Sequence, residues 1–142
     1  MKMKLTLRVY VFLRNPKNEI LLLDEKSEEH RFTKLPGGGL ELGEGVIDCL
    51  KRELKEELNI ENLILEQLYV SESFIASKLH ENTQVVAVYY QGDLNHTSIR
   101  FNENETNLLN HHWIPIKELT RNHFTFEMDK HALKKYLSQQ IL

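Results

Sequence analysis

The chain has 142 residues, of which 41% are hydrophobic and 27% charged, and this predicts one soluble globular domain spanning residues 1–142. A formal net charge of −3 argues against general nucleic-acid binding, but it leaves a polyanionic small molecule open as a substrate, because a bound metal can dominate the local field. The single cysteine excludes an internal disulfide and favours a reducing compartment, and no stretch reaches the roughly 18 apolar residues of a membrane helix, so we expect a cytoplasmic protein that does not bind membranes.

The first half of the chain predicts a hairpin, a glycine-rich loop and a helix. Apolar residues recur at every second position from Leu5 to Leu13, which predicts a strand. A turn cluster at Asn15–Asn18 then leads to the apolar run Ile20–Leu23, so the two runs are expected to pair as a hairpin. A loop over residues 35–45 follows, with glycines at 37–39, and Val46–Leu58 has the apolar period of a helix.

The second half predicts further strands and a closing helix. Strands are expected at Leu63–Ile75 and Thr83–Gln91, with a short strand at His111–Ile116. Met128–Ile141 has apolar residues at four-residue spacing, which predicts a terminal helix. Strands therefore precede and follow one central helix, and we expect a single mixed α/β domain.

The central helix has acidic residues on its apolar side. On a helical wheel with about 100° per residue, an apolar arc of about 120° is formed by Val46, Ile47, Leu50, Leu54 and Leu58. Glu57 falls inside this arc, Glu53 lies beside its edge, and Glu56 lies further round on the same side. Their spacing of three and four residues makes the three carboxylates neighbours on the helix surface.

Such a carboxylate cluster needs a compensating cation. Like charges four residues apart repel each other, and a carboxylate against the core loses its hydration. An ordinary solvated acidic helix would not place carboxylates on the core side. Clustered oxygen ligands favour a hard ion, Mg²⁺ or Mn²⁺, over zinc. Because Mg²⁺ normally takes one or two carboxylates, one of the three can remain free as a base.

The three consecutive glycines before the helix suggest the second half of the same site. Without side chains, Gly37, Gly38 and Gly39 allow backbone groups to approach a ligand closely, so we expect Gly38 and Gly39 to contact substrate. The helix N-terminus that follows offers partial positive charge and free N–H groups. A plain turn would also explain the glycines alone, but beside a carboxylate-bearing helix they predict a phosphate and metal site.

The stretch from Gly38 to Ile60 resembles the Nudix box, G-x5-E-x7-R-E-U-x-E-E-x-G-U, where U is apolar. Its fixed positions are filled here by Gly38, Glu44, Arg52, Glu53, Leu54, Glu56, Glu57 and Ile60. The last glycine of the pattern is Asn59 in this chain, and Asn is the residue that best tolerates the left-handed conformation after glycine. The resemblance implies the Nudix fold, an α/β/α sandwich around a mixed sheet.

The resemblance also implies a metal site. Glu53, Glu56 and Glu57 would ligate Mg²⁺, with Mn²⁺ as a substitute, helped by the backbone carbonyl of Gly37. Water would then attack a phosphorus atom of a small-molecule nucleotide while the metal stabilises the developing charge.

Further roles follow for the remaining box residues. Glu53 is the candidate general base, and Arg52 would orient a catalytic carboxylate through charge-assisted hydrogen bonds. Glu44 would brace the loop or hold a further ion. In some family members a loop carboxylate outside the box is the base, and Glu103 and Glu105 are the candidates here, with ordinary solvated loop acids as the alternative.

The family implies hydrolysis of a pyrophosphate bond in a nucleoside diphosphate linked to another group. Residues 74–78 lack the proline typical of ADP-ribose hydrolases and the tyrosine typical of dinucleoside polyphosphate hydrolases. A nucleoside triphosphate or modified nucleotide is therefore expected first, and a nucleoside-diphosphate sugar second. A non-catalytic module that binds a nucleotide metabolite is a further alternative, but such modules usually lose box carboxylates. A homodimer is left open.

Overall fold

The computed structural model of the protein describes residues 2–140. Two short 3₁₀ turns, at Ile116–Glu118 and Arg121–His123, precede the last helix. The strands and α-helices in chain order are β1 (Lys4–Arg14), β2 (Glu19–Ser27), β3 (His30–Lys34), β4 (Gly37–Gly39), α1 (Val46–Leu58), β5 (Leu65–Val70), β6 (Thr83–Asp93), β7 (Leu108–Pro115) and α2 (Glu127–Ser138).

The strands form one mixed sheet around β1. The main order is β3-β2-β1-β6-β5, while β4 also pairs with β1 and β7 with β2. β1 and β6 run parallel along their whole lengths, from the pair Lys4 and Thr83 to the pair Arg14 and Asp93. The other strand pairs are antiparallel. The predicted hairpin is confirmed by the pairing of β1 with β2 across the turn at residues 15–18.

One helix covers each face of this sheet. Because side chains alternate along a strand, β1 sends residues to both faces. One hydrophobic cluster includes Val9, Val11 and Leu13 of β1 together with the apolar residues of α1. The other includes Phe12, whose ring stacks on Tyr136 of α2 with centroids 4.5 Å apart. The predicted α/β/α sandwich is thereby confirmed, and β1 is buried on both faces from Val9 onward.

The glycine stretch is a strand, where the sequence predicted a loop. β4 pairs antiparallel with β1 at Arg8–Gly39, Val9–Gly38 and Tyr10–Gly37. Gly37 has a φ of 143°, and a Cβ built on it would lie 2.0 Å from the backbone oxygen of Val9. Only glycine fits so close to the neighbouring strand in this conformation. The glycines therefore let β4 pack tightly between β1 and α1.

Other boundaries also differ from the predictions. The strand expected over Leu63–Ile75 is only β5, because regular strand pairing ends at Val70. Beyond it the chain stays beside β6 through an isolated bridge between Ala76 and Gln84 and lines a cleft. β3 was not predicted. β6 extends two residues further than expected, and β7 begins three residues earlier. α2 begins at Glu127 and ends at Ser138, and Ile141 of the predicted helix lies outside the described residues. No helix within residues 2–140 is long and apolar enough to cross a membrane.

Asn59 ends α1 in the left-handed conformation, as the sequence predicted. Its φ and ψ are 58° and 32°. The next residue, Ile60, donates its N–H to the Leu54 carbonyl at 3.2 Å and is buried against the helix. The Asn59 side chain also donates an exposed hydrogen bond to the Arg100 carbonyl at 3.0 Å. The residue thus serves both as helix terminator and as an anchor for the loop near residue 100.

These two roles give a testable difference between two substitutions. Asn59→Gly removes one exposed hydrogen bond, worth about 1 kcal/mol, but relieves a left-handed strain of similar size, so its melting temperature should stay close to wild type. Asn59→Val loses the hydrogen bond and adds a β-branched residue at positive φ, so it should melt clearly lower. Thermal unfolding of both variants measures the difference. Equal destabilisation by Gly and Val would show that the contact with Arg100 dominates and would contradict the capping account.

Candidate metal and catalytic site

The box glutamates (Glu53, Glu56 and Glu57) differ in depth along one side of α1. Glu57 is buried, with 7% relative exposure. The side chain of Glu53 is 16% exposed and that of Glu56 is 54% exposed. This order follows the helical wheel, on which Glu57 falls within the apolar arc. The helix therefore presents carboxylates from the core to the solvent within one turn.

Glu57 is the carboxylate that most needs a cation. Its Oε1 atom is buried and has no hydrogen-bond partner among the described residues. Burial raises the pKa of Glu57 to about 7, against the opposing effect of the nearby Lys34 ammonium. A buried carboxylate oxygen without a donor is costly, and a cation in contact with it would remove that cost. The site therefore fits a hard cation by the chemistry of its deepest donor.

The carboxylate of Glu53 packs against Gly38. A Cβ added to Gly38 would lie 2.5 Å from Cδ of Glu53 and within 2.7 Å of both carboxylate oxygens. Burial raises the pKa of Glu53, while the hydrogen bond from Arg52 opposes the shift. The missing side chain of Gly38 thus makes room for the carboxylate. The sequence predicted that the backbone of Gly38 contacts substrate, and in this structure Gly38 borders the candidate base.

Arg52 ties the helix to the loop and to β4. It makes a bidentate pair with Glu44, with Nε–Oε2 at 2.9 Å and Nη2–Oε1 at 2.7 Å. Its Nη1 donates to Glu53 at 2.8 Å and to Glu56 at 3.2 Å. Its Nη2 also donates to the Gly39 carbonyl at 3.1 Å. One guanidinium therefore holds two of the box glutamates, as expected of a residue that orients a catalytic carboxylate.

Glu44 is engaged in bracing the loop. Its Oε1 accepts the backbone N–H of Glu41 at 2.9 Å in addition to the Arg52 pair. The hydrogen bond from Arg52 is the main reason why the pKa of Glu44 is lowered to about 2. Of the two roles predicted for Glu44, bracing is the one whose contacts are present.

The oxygen atoms predicted as metal ligands are not arranged around a single point. Within the described part of the chain, no three acidic, histidine or cysteine side chains are arranged closely enough to hold a metal ion as they stand. Arg52 draws the carboxylates of Glu53 and Glu56 toward itself, and the Gly37 carbonyl accepts a hydrogen bond from Lys34. The carboxylates of Glu53 and Glu56 are therefore directed to the guanidinium and not to a common point with Glu57.

The C-terminal end of α1 is held by Asn102, a residue that the sequence analysis did not single out. The Asn102 N–H donates to the Glu57 carbonyl at 3.1 Å. Its side-chain amide donates to the carbonyls of Lys55, at 2.9 Å, and Glu56. These are among the carbonyls that a helix end leaves without partners. A loop far away in sequence therefore docks beside the box glutamates.

This docked loop brings Glu105 to the site. Burial and the charge of Glu56 raise the pKa of Glu105, and Glu105 in turn contributes to the raised pKa of Glu57. Glu103, in the same loop, is exposed to solvent. Of the two loop acids predicted as alternative bases, Glu105 is the one near the site.

A cleft of about 1210 Å³ opens beside β4. Its walls include β1, β3, the segment after β5 and the start of α2, and Phe32 and Phe126 lie 5.2 Å apart at one side. Arg8 and Lys34 contribute positive charge to the wall. The Arg8 guanidinium lies 3.4 Å from the position a Cβ of Gly39 would occupy, and Lys34 donates to the Gly37 carbonyl. Arg8 and Lys34 are thus the lining residues that approach β4, whereas the glycines and the box glutamates do not line the cleft; the sequence analysis singled out neither cation.

The middle of α1, and not its N-terminus, faces the glycines. Gly38 borders Glu53, and the Gly39 carbonyl accepts from Arg52. At the N-terminus the exposed Gly45 N–H donates to Asp48 at 3.1 Å. β4 therefore runs alongside the helix, and the contribution of the helix N-terminus to a phosphate site stays a prediction.

Comparison with known proteins gives a family match and several structural likenesses. A family model described as the NUDIX domain matches residues 4–137. The MutT protein from Methanosarcina mazei Go1 is 18% identical with a TM-score of 0.76, and the match covers 100% of this chain and 99% of that one. The E. coli dihydroneopterin triphosphate pyrophosphohydrolase is 19% identical with a TM-score of 0.73, over 94% of this chain and 95% of that one. The NUDIX domain of Shewanella oneidensis NrtR, complexed with ADP ribose, is 16% identical with a TM-score of 0.69, over 99% and 90%. No curated protein sequence matches the chain.

The pair of Glu44 with Arg52 predicts a pH-dependent contribution to stability. The folded pKa of Glu44, about 2, is below its ordinary value of 4.5, so the contribution is present above pH 4.5 and is lost as pH falls toward 2. Wild type should therefore be more stable than Glu44→Gln at pH 6, and this difference should shrink at pH 3. Urea unfolding in metal-free buffer at both values measures it.

Glu41→Gln is the matched control, because Glu41 lies in the same loop but approaches Arg52 only to 3.7 Å. Its difference from wild type should change less with pH. A gap between wild type and Glu44→Gln that is equal at pH 6 and pH 3 would show that the ion pair does not set this part of the stability.

Proposed function

The chain belongs to the Nudix family of hydrolases, and from that membership we propose that it uses Mg²⁺ to hydrolyse a pyrophosphate bond in a nucleoside diphosphate linked to a further group. The observation that carries the proposal is the graded burial of the box glutamates around the unpartnered Oε1 of Glu57. Carboxylate oxygens at this spacing suit a hard divalent cation. Retention of all the box carboxylates argues against a module that only binds nucleotides.

The proposed chemistry assigns a task to each part of the site. Glu53, Glu56, Glu57 and the Gly37 carbonyl would hold the ion, which when bound stabilises charge on the phosphate oxygens and lowers the pKa of an attacking water. As the oxygen of that water attacks phosphorus, Glu53 accepts a proton from the water and the bridging P–O bond breaks. Arg52 holds Glu53 in place through the 2.8 Å hydrogen bond. Glu105 is the alternative base on the docked loop.

The cleft beside β4 is the proposed seat of the nucleotide. Arg8 and Lys34 give its wall positive charge, and Phe32 and Phe126 offer aromatic surface for a base. A nucleoside triphosphate or modified nucleotide leads, because the markers of ADP-ribose and dinucleoside polyphosphate hydrolases are absent from residues 74–78. Solved neighbours named for a triphosphate substrate and for bound ADP ribose are similar to this chain to a comparable degree, so this order rests on the markers.

The cleft volume of about 1210 Å³ leaves space beyond one nucleotide, so a nucleoside-diphosphate sugar is the second candidate. We also propose that the protein is cytoplasmic and that it does not bind nucleic acid in general. A screen of nucleoside triphosphates, oxidised nucleotides and nucleoside-diphosphate sugars, with products identified by chromatography, distinguishes the substrate classes.

Removal of divalent cations should abolish turnover. After dialysis against a chelator, hydrolysis of the best substrate in the screen is expected to fall to background and to return when Mg²⁺ or Mn²⁺ is added. The reason is that the carboxylates of the site repel one another and leave the developing phosphate charge unneutralised without an ion. Turnover that persists in the chelated protein contradicts the proposed mechanism.

Glu53→Gln should preserve the fold and lose most of the rate. The amide has the same shape on Gly38, while loss of a general base typically lowers the rate by about 10²–10⁴-fold. Initial rates and melting curves are measured together, with Glu61→Gln as the control. Glu61 is an exposed acid just after the same helix, and its carboxylate pairs with Lys55. Near-native turnover of Glu53→Gln, combined with a large loss in Glu105→Gln, would transfer the role of base to Glu105.

A further inference from the structure

The Gly37 carbonyl, which the family resemblance assigns to the metal, already has a cationic partner in this chain. The Lys34 ammonium donates to it at 3.1 Å and lies 3.6 Å from Oε1 of Glu25. The Lys34 side chain is only 4% exposed, and its ammonium sits 5.6 Å from the centre of the Tyr10 ring. A single buried lysine therefore contacts the backbone carbonyl that we propose as a metal ligand.

Lys34 is also the cation that acts on Glu57. Burial alone would lower the pKa of Lys34, but the charges of Glu57 and Glu25 outweigh burial and raise it above its ordinary value. In return, the ammonium opposes the effect of burial on the pKa of Glu57. Arg52 serves the other two box glutamates and makes no hydrogen bond to Glu57 among the described residues. Lys34 thus provides the positive charge for the deepest carboxylate.

A divalent ion and this ammonium compete for the same surroundings. An ion ligated by the Gly37 carbonyl would lie about 2.1 Å from that oxygen. The ammonium lies 3.1 Å from the same oxygen. Two cations this close, in a partly dry site, repel each other strongly. The Lys34 ammonium can move away from the Gly37 carbonyl, because its side chain is long and lines the cleft beside β4.

We propose that Lys34 is a built-in counter-cation for the metal site: in the metal-free protein its ammonium occupies the Gly37 carbonyl beside Glu25, and a divalent ion binds by displacing it toward the cleft. The inference rests on the proposed metal site, and it adds that this chain's own lysine weakens the affinity for the ion when no nucleotide is bound. Removal of the ammonium therefore tightens metal binding, whereas loss of a cation from another part of the cleft has less effect.

The test is a titration of the full chain with Mn²⁺, free of nucleotide, read by the electron paramagnetic resonance signal of free Mn²⁺. Lys34→Met should bind Mn²⁺ about tenfold more tightly than wild type, which corresponds to 1.4 kcal/mol. Arg8→Met is the matched control, since Arg8 also lines the cleft and acts electrostatically on Glu53 but makes no hydrogen bond to the Gly37 carbonyl. It should gain much less. Lys34→Arg keeps the charge and should not bind more tightly than wild type.

Unfolding curves keep the test decisive if Lys34→Met is less stable. Without metal this variant should melt below wild type, because Glu57 has lost its cation, and saturating Mn²⁺ should raise its melting temperature more than that of wild type. Affinity in Lys34→Met equal to or weaker than wild type overturns the inference, and so does an equal gain in Arg8→Met. If wild type binds Mn²⁺ and only the lysine effect is missing, the proposed function stands. If neither protein binds Mn²⁺, both proposals fail.

Discussion

Burial of the Glu57 carboxylate against the hydrophobic core is the constraint on which the rest of the site depends. A charge in that position is costly unless a cation compensates it, and its Oε1 has no hydrogen-bond partner among the described residues. Lys34 supplies positive charge from β3, and Arg52 holds the more exposed Glu53 and Glu56. The site is therefore a cluster of acids partly balanced by two basic residues, and a divalent ion is the further partner that we propose for it.

The glycines of β4 make this arrangement possible because they have no side chains. Gly37 lets the strand approach the backbone of β1, where a Cβ would collide with the Val9 carbonyl. Gly38 leaves the space in which the carboxylate of Glu53 lies. Because β4 runs along the middle of α1, the box places three parts side by side. They are the strand β4, the loop that Glu44 braces, and the turn of α1 that has the box glutamates. Arg8 and Lys34, which line the cleft, are the residues that approach this strand from the cleft side.

Local pattern was enough to predict the parts of the protein that local forces decide. α1 begins and ends at the predicted residues, and the depth order of the box glutamates follows from a period of 3.6 residues. The left-handed Asn59 follows from its place after the helix. In contrast, β4 was missed because glycine has little preference for strands, so that only pairing with β1 makes it one.

The roles of Lys34 and Asn102 depend on contacts that no local pattern encodes. The Gly37 carbonyl is only three residues from Lys34, but the lysine also lies 3.6 Å from Glu25 of β2, a contact that the pairing of β2 with β3 sets. Asn102 reaches the end of α1 from a loop more than 40 residues later in the chain, as its 46-residue separation from Glu56 shows. Such long-range contacts are set by the register of the sheet and by loop docking. The sequence therefore predicted the carboxylates of the site and Arg52, but not Lys34 or Asn102.

The central claim is that the box glutamates hold a divalent cation. The most direct measurement is a crystal structure of the Mn²⁺-loaded protein, with the ion located by anomalous scattering. The account predicts a peak bounded by the carboxylates of Glu53, Glu56 and Glu57, with the Gly37 carbonyl as a ligand and the Lys34 ammonium moved away from it. A peak elsewhere in the molecule, or an ion that leaves the buried Oε1 of Glu57 without a partner, would contradict it.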